Sequence, residues 1–123
     1  ALDFGSVLKR RTNKGPADQG GWNAFVGNWQ GIDWLNPLVH STLRGDGAFP
    51  GWVQSPKIEA LRAQWLATGD LATQKRLCDE IQATAFEEVP YYPIGQYKQP
   101  TLFRSDLAGM MSGTPVFWNL KRG

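Results

Sequence analysis

Between Trp29 and Trp34 the chain reads WQGIDW, and there the residue types that could do chemistry come closest together. Two indole rings flank an amide, Gln30, and a carboxylate, Asp33, with no lysine or arginine between them. A carboxylate desolvated between indoles suits a cationic amine, which gains a charge-assisted hydrogen bond and cation–π attraction together. Each residue alone has a plainer reading. Tryptophans most often fill cores or rims, and an aspartate ahead of an Asn-Pro pair commonly shapes a turn. The combination marks Trp29, Gln30, Asp33 and Trp34 as the candidate binding surface, whereas Trp22 and Phe25 read as core.

The segment before this loop must position it. Residues 22–29, WNAFVGNW, are rich in aromatic and β-branched types and follow a Gly-Gly pair, the signature of a strand. Neither alternating face is cleanly polar, which predicts a strand covered on both sides, as in the interior of an α/β sheet. The loop then leaves the strand's carboxyl end, where open α/β sheets usually hold ligands.

The other chemistries are thinly supplied. One histidine and one cysteine cannot build a zinc site alone, and no metal-ligand spacing occurs. No GK[ST] or GxGxxG phosphate loop follows a strand. His40 lies near Ser41 and Asp46, but nothing resembles a nucleophile elbow, and it reads as a surface or turn histidine. Cys78 falls on an apolar helical stripe with no nearby histidine and no positive neighbour that points at it, and reads as a small core residue. Glu87 and Glu88 point apart and face water. Arg44-Gly45-Asp46 spells an adhesion tripeptide by chance. A chain with aromatic surfaces and no assembled catalytic apparatus, cofactor site or metal site points to binding and not to an enzyme.

Composition agrees. At 123 residues, with 41% hydrophobic and 20% charged side chains, the chain has the profile of one ordinary globular domain. A net charge of +2 is too small to favour nucleic acid. No apolar run approaches the roughly 20 residues that span a bilayer. Ala1 opens directly into an amphipathic segment with no signal-peptide pattern, as a mature or truncated secreted chain also would. A lone cysteine forms no internal disulfide.

In chain order, residues 3–12 read as a helix capped by Asp3, with Lys9, Arg10 and Arg11 at its negative end. Residues 13–21 are loop, residues 37–43 a helical turn, and residues 44–51 irregular. Ser55-Pro56 opens a helix whose inner residues are Ile58, Leu61, Trp65 and Leu66, closed by Gly69. Asp70 caps a second helix running to Val89, with Leu77, Cys78, Ile81 and Ala85 inward and Phe86 and Val89 on the flank. The short link makes the two an antiparallel hairpin, and Pro90 forces Val89 extended. Residues 90–99 are extended, residues 101–104 a short strand, and residues 114–120 a last strand.

This order of pieces, from GGWNAFVGNWQGIDWLNP through SPKIEALRAQW and AFEEVPYYPIGQYKQP to TPVFWNL, resembles the C-terminal segment of family 5 solute-binding proteins of ABC transporters, the dipeptide, oligopeptide and nickel-binding type. The resemblance implies an α/β fold: a fragment of the two-lobed periplasmic-binding-protein type II fold, a mixed sheet with a helical hairpin. Residues 1–95 would belong to the second lobe, and residues 96–123 would cross the hinge and return a strand to the first. By the same likeness Trp29 and Phe4 face the ligand cleft. Asp33 matches the aspartate that pairs with a peptide's α-ammonium group, although the spacing is one residue longer and a strict count lands on Ile32. The implied role is periplasmic or cell-envelope capture of a peptide or similar small solute for a membrane permease, with no cofactor. An isolated fragment of that kind is expected to self-associate and to bind its solute weakly. The alternative is a stand-alone aromatic-surface module, for example for carbohydrate.

Overall fold

The structure is a computed structural model that describes residues 2–113 and 116–123. It divides into two compact units, Ala1–Tyr92 and Pro93–Gly123.

The first unit is helical. Helix α1 (Phe4–Arg11) begins where the Asp3 carboxylate accepts the Ser6 N–H at 3.1 Å, and its last turn carries Lys9, Arg10 and Arg11. Helix α2 (Pro56–Ala67) is capped by Ser55, whose Oγ accepts the Ile58 N–H at 3.1 Å. Helix α3 (Leu71–Glu88) is capped by Asp70, which takes the Thr73 N–H at 2.8 Å. Each cap satisfies a donor that the first helical turn leaves orphaned. The expected hairpin of α2 and α3 is present, and its core is small. Ile58, Leu61, Leu77 and Ile81 are buried, with Leu43 and Trp65 packed against the Leu61–Leu77–Ile81 cluster.

The inward stripe differs from the expected one in a physically informative way. Thr84 is buried in place of Ala85, and its hydroxyl donates to the Glu80 carbonyl at 2.8 Å. A threonine can be buried there because the turn below supplies its partner. Cys78 is half-buried, while Leu66, Phe86 and Val89 are exposed. Val89 is left-handed (φ 48°, ψ 58°) and not extended. Pro90 excludes the right-handed helix for Val89, and the left-handed alternative keeps its N–H on the Ala85 carbonyl at 2.9 Å.

Residues 22–29 form no strand, which corrects the expectation of an interior one. A strand is stable only as part of a ladder, and among the described residues no strand pairs with this segment. Its aromatic rings pack on other rings instead: Trp22 meets Phe25 at 5.9 Å and Trp52 at 5.6 Å between centroids. The mixed sheet and its ligand-holding strand end are therefore absent among the described residues. The segment between α1 and α2 is irregular, with three 3-10 turns at Ala17–Gln19, Gly31–Trp34 and Ser41–Leu43.

The second unit holds the sheet that does form, strands β1 (Leu107–Ala108) and β2 (Lys121–Arg122), antiparallel with Leu107 opposite Arg122. Asp106 pairs with Arg104 at 2.8 Å and with Arg122 at 3.5 Å. Gly109 is left-handed (φ 81°), and a Cβ there would collide with the Asn119 carbonyl. The strands expected over 101–104 and 114–120 do not form as such. Thr114 and Pro115 lie outside the described residues, and residues 116–120 lead into β2 without pairing.

Ile81→Ala is expected to lower unfolding free energy by about 2–5 kcal/mol. Phe86, 71% exposed, should change it by no more than about 0.5 kcal/mol on substitution by alanine. Urea denaturation followed by circular dichroism separates the two.

Candidate functional site

After Trp29 the chain makes a single 3-10 turn, Gly31–Trp34. Gln30 and Asp33 close it reciprocally. The Asp33 N–H donates to the Gln30 carbonyl at 3.0 Å, and the Gln30 N–H donates to Asp33 Oδ2 at 3.2 Å. Asp33 thus does the work of a turn residue, and its side chain remains exposed.

This turn swings Trp34 back onto Trp29, with ring centroids 5.9 Å apart and planes at 28°. From there a row of rings continues in both directions. Trp29 meets Phe49 at 6.1 Å; Trp34 stacks on His40 at 4.8 Å with planes 10° apart; Tyr91 closes on Trp34 at 5.5 Å and on His40 at 5.4 Å. Offset-stacked and tilted pairs at these separations contribute about 0.5–1.5 kcal/mol each beyond simple burial. Four of the expected residues, Trp29, Gln30, Asp33 and Trp34, are therefore gathered in one turn. Phe4 is not with them. It is 77% exposed on the first turn of α1 and joins no ring contact among the described residues.

His40 is the correction of most consequence. It is 7% exposed, neither a surface nor a loose turn histidine. Its Nδ1 lies 3.1 Å from Thr42 Oγ1 and its Nε2 3.3 Å from Tyr91 Oη, so both ring nitrogens have a hydroxyl partner. Burial pushes its pKa below the ordinary histidine value, and the nearby Arg62 charge adds to that. Burial likewise pushes the Tyr91 phenol up. The only local signal for this burial was Thr42, a hydroxyl two residues on; the decisive partner, Tyr91, is 51 residues away.

A second ring group lies around Trp22, Phe25 and Trp52. The Arg11 guanidinium stands 5.6 Å from both the Phe25 and the Phe49 ring centroids, and so joins this group to the first. Lys14 sits 5.2 Å above Trp52, and Trp22 Nε1 donates to the Arg11 carbonyl at 2.9 Å. Trp22 and Phe25 are half-buried here, Phe25 beside the Arg11 guanidinium and Trp22 between the Phe25 and Trp52 rings. Among the described residues no three His, Cys, Asp or Glu side chains gather as metal ligands, and no helix is long and apolar enough to cross a membrane.

No family model matches the chain. It does have a curated relative. Over 123 residues it is 32% identical to a probable peptide ABC transporter periplasmic-binding protein of Sinorhizobium fredii (strain NBRC 101917 / NGR234). The match takes in 98% of this chain and 23% of that relative, so the chain spans less than a quarter of the relative's length.

The buried imidazole has a pH signature. With the folded pKa below the unfolded value of about 6.5, the unfolded chain takes up a proton first as pH falls. His40 then contributes stability above about pH 6.5 that is lost as pH drops toward the lower folded value. The urea midpoint is expected to fall between pH 7.5 and 5 in the native chain and to stay nearly flat in His40→Phe.

Proposed function

We propose that this chain is part of an extracytoplasmic solute-binding component of an ABC importer, one that captures peptides or related amine-bearing solutes for a membrane permease. The observation that carries the reading is the likeness, along almost the whole chain, to a relative of that description. The row of rings around Asp33 supports it chemically. An exposed carboxylate in a turn bracketed by Trp29 and Trp34 can accept charge-assisted hydrogen bonds from an ammonium group. Within this reading residues 1–95 form part of a second lobe and residues 96–123 cross a hinge; the change of compact unit after Tyr92 lies close to that boundary. Phe4, exposed on α1, is available to a cleft in the same scheme. A free carbohydrate-stacking module is less well supported, because Trp34 is engaged face to face with Trp29 and His40.

Calorimetry on the full-length gene product with tri-alanine tests the reading. N-acetylation of the peptide, or Asp33→Asn, is expected to weaken binding by tenfold or more (about 1.4 kcal/mol). The 123-residue chain alone should bind at least a hundredfold more weakly than the full-length protein. Equal affinity for free and acetylated peptide would overturn the role given to Asp33, and tight stoichiometric binding by this chain alone would overturn the half-cleft.

A further inference from the structure

Two charged side chains on α2 reach away from their own helix, and both end on loops that carry the ring row. Arg62 Nε donates to the Pro37 carbonyl at 2.9 Å and Nη2 to the Leu38 carbonyl at 3.4 Å, across 25 and 24 residues of sequence. Its Nη1 pairs with Glu59, three residues earlier on the same helix face. Glu59 Oε1 in turn accepts the Gly45 N–H at 2.8 Å. Gly45 is fastened at its other group too, since its carbonyl accepts the Ser55 N–H at 2.9 Å at the very start of α2. No larger residue fits there, because a Cβ would collide with the Ser55 carbonyl. The Arg62 side chain is only 12% exposed, so its bonds are largely shielded from water.

We propose that Glu59 and Arg62 are positioning residues: a brace by which α2 fixes the 36–40 and 44–47 loops and so holds His40 against Trp34. The proposal rests on reading the ring row as solute-facing. Its physics lies in the shape of the guanidinium. The fork sends two donors to successive carbonyls of one turn and a third to a carboxylate, three fixed directions that a lysine ammonium cannot reproduce. The turn it grips runs straight into His40, whose own N–H closes on the Asn36 carbonyl at 3.3 Å. Arg62 holds His40 from the chain that leads into it, and from α3 the left-handed turn at Val89 ends the helix just before Tyr91, whose hydroxyl meets the same imidazole. The helical hairpin therefore grips His40 from both of its helices, and through His40 it fixes the face on which Trp34 stacks.

The chain has one histidine, so its imidazole gives a single set of proton resonances, shifted by the Trp34 and Tyr91 ring currents. In Arg62→Gln these signals are expected to move toward free-imidazole positions and the histidine titration midpoint to rise, while the Leu77 and Ile81 methyl signals stay where they are. Arg62→Lys should keep the charge but not restore the ring-current shifts, and Glu59→Gln, which retains an acceptor for Gly45, should show a smaller displacement. Unmoved imidazole signals in Arg62→Gln, full restoration by lysine, or collapse of the Leu77 and Ile81 signals would each overturn the brace. A parallel titration of the full-length protein with tri-alanine is expected to show about tenfold weaker binding in Arg62→Gln. Displaced imidazole signals with unchanged tri-alanine affinity, or with none in the native protein, would keep the brace and sink the solute reading.

Discussion

Leu61, Leu77 and Ile81 close against one another between α2 and α3, and the rest of the first unit hangs from that contact. Burying side chains of this size yields about 1.5–3 kcal/mol each, and the described residues hold few other fully buried aliphatics. The loops before α2 bury little aliphatic surface of their own. Their order comes from rings stacked on rings, cations over rings, and backbone groups tied to the hairpin. Packing supplies the platform, and directional contacts arrange what stands on it.

The arrangement divides labour between charge types. Arg62 is largely shielded and spends its donors on carbonyls and one carboxylate. Arg11 and Lys14 face aromatic rings. Asp33, the acid at the centre of the ring row, is tied to its own turn and stays open to solvent. A carboxylate held in place by a backbone N–H, with no cation bonded to it among the described residues, keeps its charge available to an incoming group. Burial lowers the His40 pKa in the same neighbourhood, so the imidazole itself adds no positive charge against that group at neutral pH.

How much of this could be read from sequence depended on distance along the chain. The helices were legible because their signals are local: Asp3, Ser55-Pro56, Asp70 and Pro90 each act within one turn. Trp29 through Trp34 was legible as a cluster for the same reason, its members being at most five residues apart. The strand over 22–29 was misread because alternation describes only half of a ladder, and the other half must come from a neighbour that no local pattern reports. His40 was misread because the rings that bury it come from either side, and Tyr91 arrives only after α3 has run its length. Thr84 was passed over for Ala85 because hydropathy ignores a hydroxyl that can bond back to its own helix.

The near-parallel approach of Trp29 and Trp34 has an optical consequence. Two indoles at 5.9 Å couple their electronic transitions, and coupled chromophores in a chiral setting give a paired positive and negative band in ultraviolet circular dichroism. The Trp22–Trp52 pair at 5.6 Å adds a band of the same kind, so the share lost on replacing Trp34 reports the contact between Trp29 and Trp34.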